Sequence, residues 1–154
     1  MMDQIIRITI VEIATKEIKM FEYINFMPIG IHGPSQFPTN IILYSEKEIF
    51  ITDLESSLKV QCLGVKKFFE HEDEEIVQLA TSLHMNFSMY AITTKGNLYF
   101  IYVDMKDLKI TKVSKEFLGT YQTANTEGKE ITVNKKPSSL CANEYNILIG
   151  YEHV

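Results

Sequence analysis

The run Leu98 to Val103 constrains this chain more than any other stretch. Side chains along a strand point alternately to opposite faces. Leu98, Phe100 and Tyr102 therefore share one face, and Tyr99, Ile101 and Val103 share the other. Both sets are apolar, whereas a strand in a sheet with one solvated face alternates apolar with polar residues. This strand has to lie in a sheet covered on both sides. The β-rich run FSMYAITT precedes it, and Gly96 in Lys95-Gly96-Asn97 supplies the positive φ of a tight hairpin turn. The polar turn DMKD follows, residues 104–107, and LKITKV runs back with alternation.

The same order occurs earlier. In residues 40–64 an apolar strand (Ile41 to Tyr44) meets a polar turn (Ser45 to Lys47). A second strand (Ile49 to Thr52) ends at Asp53, and a short turn leads to SLKVQCL. Asp53 and Asp104 lie 51 residues apart. The N-terminal region carries a partial copy, with a strand ending at Glu12, a turn near Thr15 and then EIKMFEYI; Glu12 precedes Asp53 by 41 residues. YNILIGYEHV carries the complementary partial copy, and its end, where a hairpin partner is expected, reads as a truncation.

Several strands repeating every 40 to 50 residues is the spacing of propeller blades. The chain resembles the β-propeller families, the divergent WD-repeat type in particular. Asp53 and Asp104 stand where typical WD repeats carry an acid after the third strand; the chain has no Trp and no Gly-His pair. The resemblance implies an all-β fold of antiparallel four-stranded blades, divided into a partial blade 1–25, blades 26–70 and 71–120, and a partial blade 121–154, all within one unit 1–154. Propellers close with four to eight blades, so one chain makes an incomplete ring. Its uncovered faces are expected to bear Phe100, Tyr102, Ile147 and Ile149 and to drive association.

A rival reading is α+β, an antiparallel sheet with one helix near 72–84. Ile76, Leu79, Ala80 and Leu83 fall at helical spacing, and Glu72 to Glu75 suit a helix N-terminus. FMPIGIHGPSQFPTN, residues 26–40, reads as a surface loop. Residues 119–138 read as a second polar connecting loop.

The remaining features exclude more than they assign. Hydrophobic residues make up 45% and charged residues 23% of the chain, the balance of a soluble globular protein. The net charge of −5 opposes a nucleic-acid surface. Apolar runs are too short for a membrane span, and the first residues lack a basic n-region and an apolar h-region. Cys62 and Cys141 read as free buried thiols. His32, His71, His84 and His153 are scattered; His71 beside Glu70, Glu72 and Asp73 reads as part of a solvated acidic loop rather than a metal site. No nucleophile elbow, Cys-His pair or phosphate-cradling glycine motif occurs. Lys106, Lys109, Lys112 and Lys115, near Tyr99 and Tyr102, read as a solvated sheet edge that discourages strand pairing rather than as a basic-aromatic patch. The sequon at Asn86 is discounted because Phe87 reads as buried.

No catalytic, cofactor-binding or metal-binding residue is assigned. The resemblance implies a non-enzymatic scaffold with protein partners inside a larger eukaryotic assembly. It implies a cytoplasmic setting, coat-type or ciliary among the common ones. The rival fold implies a small regulatory or trafficking domain that binds a protein.

Overall fold

A computed structural model of the chain describes residues 5–24, 26–34, 36–53, 60–82, 87–118, 121–124, 127–128, 130–133 and 136–152. The fold is all-β, and every strand pairing is antiparallel. Strands β3 (Gly30–His32), β4 (Asn40–Tyr44), β5 (Ile49–Asp53) and β6 (Val60–Cys62) form a four-stranded sheet in chain order. Strands β7 (Ile76–Ser82), β8 (Ser88–Thr93), β9 (Asn97–Asp104) and β10 (Lys109–Phe117) form a second, ordered in the same way. A short 3₁₀ turn, Val65–Phe68, lies between them. Three hairpins complete the described strands: β1 (Ile5–Val11) with β2 (Ile18–Ile24), β11 (Tyr121–Ala124) with β12 (Glu130–Val133), and β13 (Pro137–Ala142) with β14 (Ile147–Tyr151).

Local chemistry accounts for the turns. Gly96 joins β8 to β9 with φ 79°, a conformation that a Cβ opposes. Asp104 closes β9, and its Oδ1 accepts from the N–H groups of Lys106 (2.9 Å) and Asp107 (3.2 Å). Glu12, just beyond β1, accepts from Thr15 Oγ1 at 2.7 Å. Leu108 (φ 50°) and Lys16 (φ 58°) each take a left-handed conformation four residues after the acid. The two turns are built alike.

The second sheet is covered on both faces. On one, Leu79, Met89, Ala91, Tyr99, Ile101 and Val103 pack against Ile42, Tyr44, Ile49 and Ile51 of the first sheet. On the other, Ala80, Tyr90, Ile92 and Leu98 pack against Leu140, with Phe100, Ala142, Ile147 and Ile149 partly buried around them. β9 feeds both clusters, as its two apolar faces require. Each fully buried side chain of this size contributes roughly 1.5–3 kcal/mol.

Four expectations are corrected. The helix near 72–84 is not formed: residues 76–82 are β7, and 83–86 lie outside the described residues. A register shift between Ile76 and Gln78 accounts for the misleading spacing. A bulge residue inserted there breaks strict alternation, so Ile76 and Leu79 enter the same cluster three residues apart. The stretch 26–40 is not all loop, for it holds β3. Three residues between Pro28 and Pro34 carry too little pattern to read. Gly30 fits there because a Cβ would come within 2.3 Å of the Tyr44 ring. The stretch 119–138 holds the β11–β12 hairpin and the start of β13; the expected loop is paired strand. Finally, Ile147 and Ile149 are not left open, because they are partly buried against the cluster of Ala80, Tyr90, Ile92, Leu98 and Leu140.

Ile101→Ala should destabilise the fold by about 2–5 kcal/mol, because it empties a fully buried site between two sheets. Ile13→Ala, at a position 94% exposed, should stay within about 0.5 kcal/mol of wild type. Urea melts of the two variants check both values.

Candidate interaction surfaces

The turns group at the two ends of the stacked strands. One end carries the β4–β5 turn, the β8–β9 turn and the segment leading into β7. These are tied together by Ile76 N–H to Glu46 O (2.6 Å) and Thr94 N–H to Glu75 O (2.8 Å). Glu74 lies inside this end, two residues before β7, and is fully buried. Its carboxylate accepts from Thr93 Oγ1 (2.5 Å), Asn97 Nδ2 (2.8 Å) and Tyr99 OH (3.0 Å). Backbone N–H groups of Glu70 (3.1 Å) and His71 (3.3 Å) also donate to it. A buried charge is tolerable only when so satisfied.

Burial pushes the Glu74 carboxyl upward. The hydroxyl and amide donors from Thr93, Asn97 and Tyr99 outweigh burial and hold it below the ordinary glutamate value. Burial, reinforced by the neighbouring Glu74 carboxylate, pushes the Tyr99 phenol up to about 12. Asn97 Oδ1, also buried there, has no hydrogen-bond partner among the described residues.

Glu48 makes a parallel joint. It sits at the end of the β4–β5 turn and accepts from the N–H groups of Val65 (2.7 Å) and Lys66 (3.3 Å) at the start of the 3₁₀ turn. Around both acids the rim is charged, with Lys47 to Glu75 at 2.9 Å, Lys95 to Asp73 at 2.5 Å, and Lys115 paired with Glu70. Such exposed pairs contribute little to stability; they set the charge pattern of this end of the fold.

The other end is grooved. Gly33, Pro34 and Gln36 of the β3–β4 loop, Phe87 and the β13–β14 turn line a cavity of about 310 Å³. A larger one, about 460 Å³, lies between the β13–β14 turn and Tyr90, Phe100 and Tyr102 of the second sheet.

The single residues weighed in the sequence distribute as follows. Cys62 and Cys141 are both exposed, which corrects their reading as buried thiols. Partial desolvation and the Glu48 carboxylate push the Cys62 thiol up, against the pull of the Gly64 backbone. His32 stacks on Tyr44 with ring centroids 5.9 Å apart, and burial lowers its pKa against a hydrogen bond that it donates to the Leu79 backbone carbonyl. His71 is exposed near Glu70. Among the described residues no group of three or more His, Cys, Asp or Glu side chains is placed to hold a metal ion. His84, His153 and Asn86 lie outside the described residues. The lysines 106, 109, 112 and 115 are exposed on or beside β10, an edge strand. Lys115 is paired with Glu70, Lys109 lies 3.5 Å from Asp107, and Lys112 sits 5.8 Å above the Tyr102 ring. Among the described residues no helix is long and apolar enough to cross a membrane.

Glu74 was missed as the organising residue. In the run His71 to Glu75 five polar side chains stand together, and nothing local separates the buried one from the exposed ones. Comparison with family models, with curated proteins and with solved structures found no match.

Glu74→Gln should destabilise the fold by about 1–3 kcal/mol at pH 7, because an amide cannot accept from all the donors converging on it. The folded carboxyl lies below its unfolded value of about 4.3, so its contribution is complete above that pH and lost as pH falls through the folded value. The gap between wild type and variant should therefore narrow from pH 5 to pH 2, as urea melts across that range will read.

Proposed function

We propose that this chain is a non-enzymatic protein-interaction scaffold, part of a WD-like propeller in a larger assembly. One observation carries the reading. Backbones of different sheets come within 8 Å between Cα atoms mainly where a first strand is involved: β3 with β7, and β13 with β7 and β8. Sheets stacked face to face and converging along their first strands form a wedge, and wedges repeated around an axis make a propeller. The acids Asp53 and Asp104 at the ends of β5 and β9, each the third strand of its sheet, support the same reading.

Such blades hold loops rigidly at two ends, and protein partners dock there. The charged rim around Lys47, Lys95 and Asp73 and the grooved opposite end are the two surfaces offered. A nucleic-acid partner fits poorly, because the net charge is −5 and lysines along β10 are engaged by Glu70 and Asp107. The proposed setting is a larger assembly in a eukaryotic cytoplasm, of the coat or ciliary kind.

Two measurements test the reading. Spin labels at positions 33 and 81, on the inner side, should lie closer together than labels at 62 and 114 on the outer strands. Equal separations would remove the wedge. Used as bait, the wild-type chain should retain a reproducible set of proteins, part of which the rim variant Lys47→Glu with Lys95→Glu releases. An identical set on both baits would overturn the rim as a docking face.

A further inference from the structure

β10 lies at one edge of the second sheet, and among the described residues it is hydrogen-bonded only to β9. Its outer side offers backbone N–H and C=O groups to another strand. Two bonds show which residues supply them. Leu118 N–H donates to Gly96 O (2.6 Å), and Val103 N–H donates to Phe87 O (3.2 Å). Along an antiparallel strand successive residues direct their backbone groups to opposite sides. With Phe117 opposite Asn97 and Lys112 opposite Tyr102, the backbones of Lys112, Ser114 and Glu116 are turned to β9. Those of Val113, Lys115 and Phe117 are turned outward. The register shift between Ile110 and Lys112 ends the regular edge.

The side chains divide by the same alternation. Lys112, Ser114 and Glu116 share one face and are exposed. Lys112 Nζ stands 5.8 Å from the centroid of the Tyr102 ring. Among the described residues Glu116 makes no ion pair. Lys115 and Val113 share the other face, and Lys115 already has its acid in Glu70.

We infer that β10 pairs antiparallel with β10 of a second copy of this chain, about a two-fold axis at Ser114, so that the two second sheets join into one. This goes beyond the blade reading and does not rest on it, because β10 is an edge strand of its sheet whether or not the sheets are blades.

Charge selects both the partner and the register. Bonds form only where outward residues of one copy meet outward residues of the other. With Val113 opposite Lys115, the two exchange both bonds, once on each side of the axis. Lys112 of each copy then stands opposite Glu116 of the other, and opposite charges facing each other across strands attract. The apolar stem of Lys115 lies along Val113 of the other copy. Slipping two residues one way sets Lys115 against Lys115; slipping two the other way sets Lys112 against Ser114 and leaves Glu116 without a cation. The lysines thus oppose the neighbouring registers, and Glu116 makes this one self-complementary. A two-fold contact of this kind closes at two copies.

Sedimentation equilibrium over a range of chain concentrations tests the pairing. The wild type should approach twice 17.8 kDa. Lys112→Glu sets an acid against Glu116, and Glu116→Lys sets a cation against Lys112. Each should raise the dimer Kd about tenfold or more. Mixing the two variants puts opposite charges back at both places and should give dimers of unlike chains; the double variant should dimerise like wild type. This recovery separates lost pairing from lost folding, since only folded variants can pair. Ser114→Cys, with Cys62 and Cys141 replaced by Ser, should form a disulfide-linked dimer under mild oxidation, because residues facing each other at a non-hydrogen-bonded site lie roughly 4.5 Å apart. A single-chain mass at every concentration, a dimer indifferent to either charge reversal, no recovery in the mixture, or no Ser114→Cys cross-link overturns the inference.

Discussion

The second sheet has two apolar faces, and the rest of the structure follows from covering them. Tyr99 and Ile101 point one way, Leu98 and Phe100 the other. Apolar area on either side costs free energy in proportion to its exposure. The first sheet and the β13–β14 hairpin are therefore packed against the two faces of the second. Chain order within each sheet is the short-connection solution for consecutive antiparallel strands.

Apolar packing is non-directional, so polar joints set how the layers sit. Glu74 binds the segment before β7 to Thr93, Asn97 and Tyr99 of the β8–β9 hairpin. Glu48 binds the β4–β5 turn to the start of the 3₁₀ turn. Across the sheets, Gln78 Oε1 accepts from Leu140 N–H at 2.8 Å, and Gln61 Nε2 donates to Leu108 O at 2.9 Å. Each of these bonds is directional, and the buried ones operate where the local dielectric is low. They turn an apolar stack into one defined arrangement with fixed loops at both ends.

Legibility tracked how local the determining physics was. The β4–β5 and β8–β9–β10 runs were readable because their short apolar runs, Gly96 and the acids Asp53 and Asp104 act within a few residues. β7 was ambiguous because a bulge near Val77 disguised its period as helical. β3 was hidden because three residues between prolines have no periodicity, and their pairing with β4 is the whole of their signal. The thiols were misplaced for a related reason. Cys62 and Cys141 sit in short strands, and which side of such a strand meets solvent depends on what packs against the other.

The sequence by itself determined the antiparallel order of the longer strands and the need for cover on both faces of Leu98 to Val103, and it left a helix near 72–84 as open as a strand. Period-two alternation and turn chemistry are properties of adjacent residues, so they survive in the linear text. Only the tertiary structure decided which acid of His71 to Glu75 is buried, that β13–β14 packs on the second face, and that Phe100 and Tyr102 line a groove. Those outcomes depend on donors and surfaces brought together from positions far apart in the chain. No local pattern encodes a carboxylate meeting Thr93, Asn97 and Tyr99 at once; the packing of the sheets creates that site.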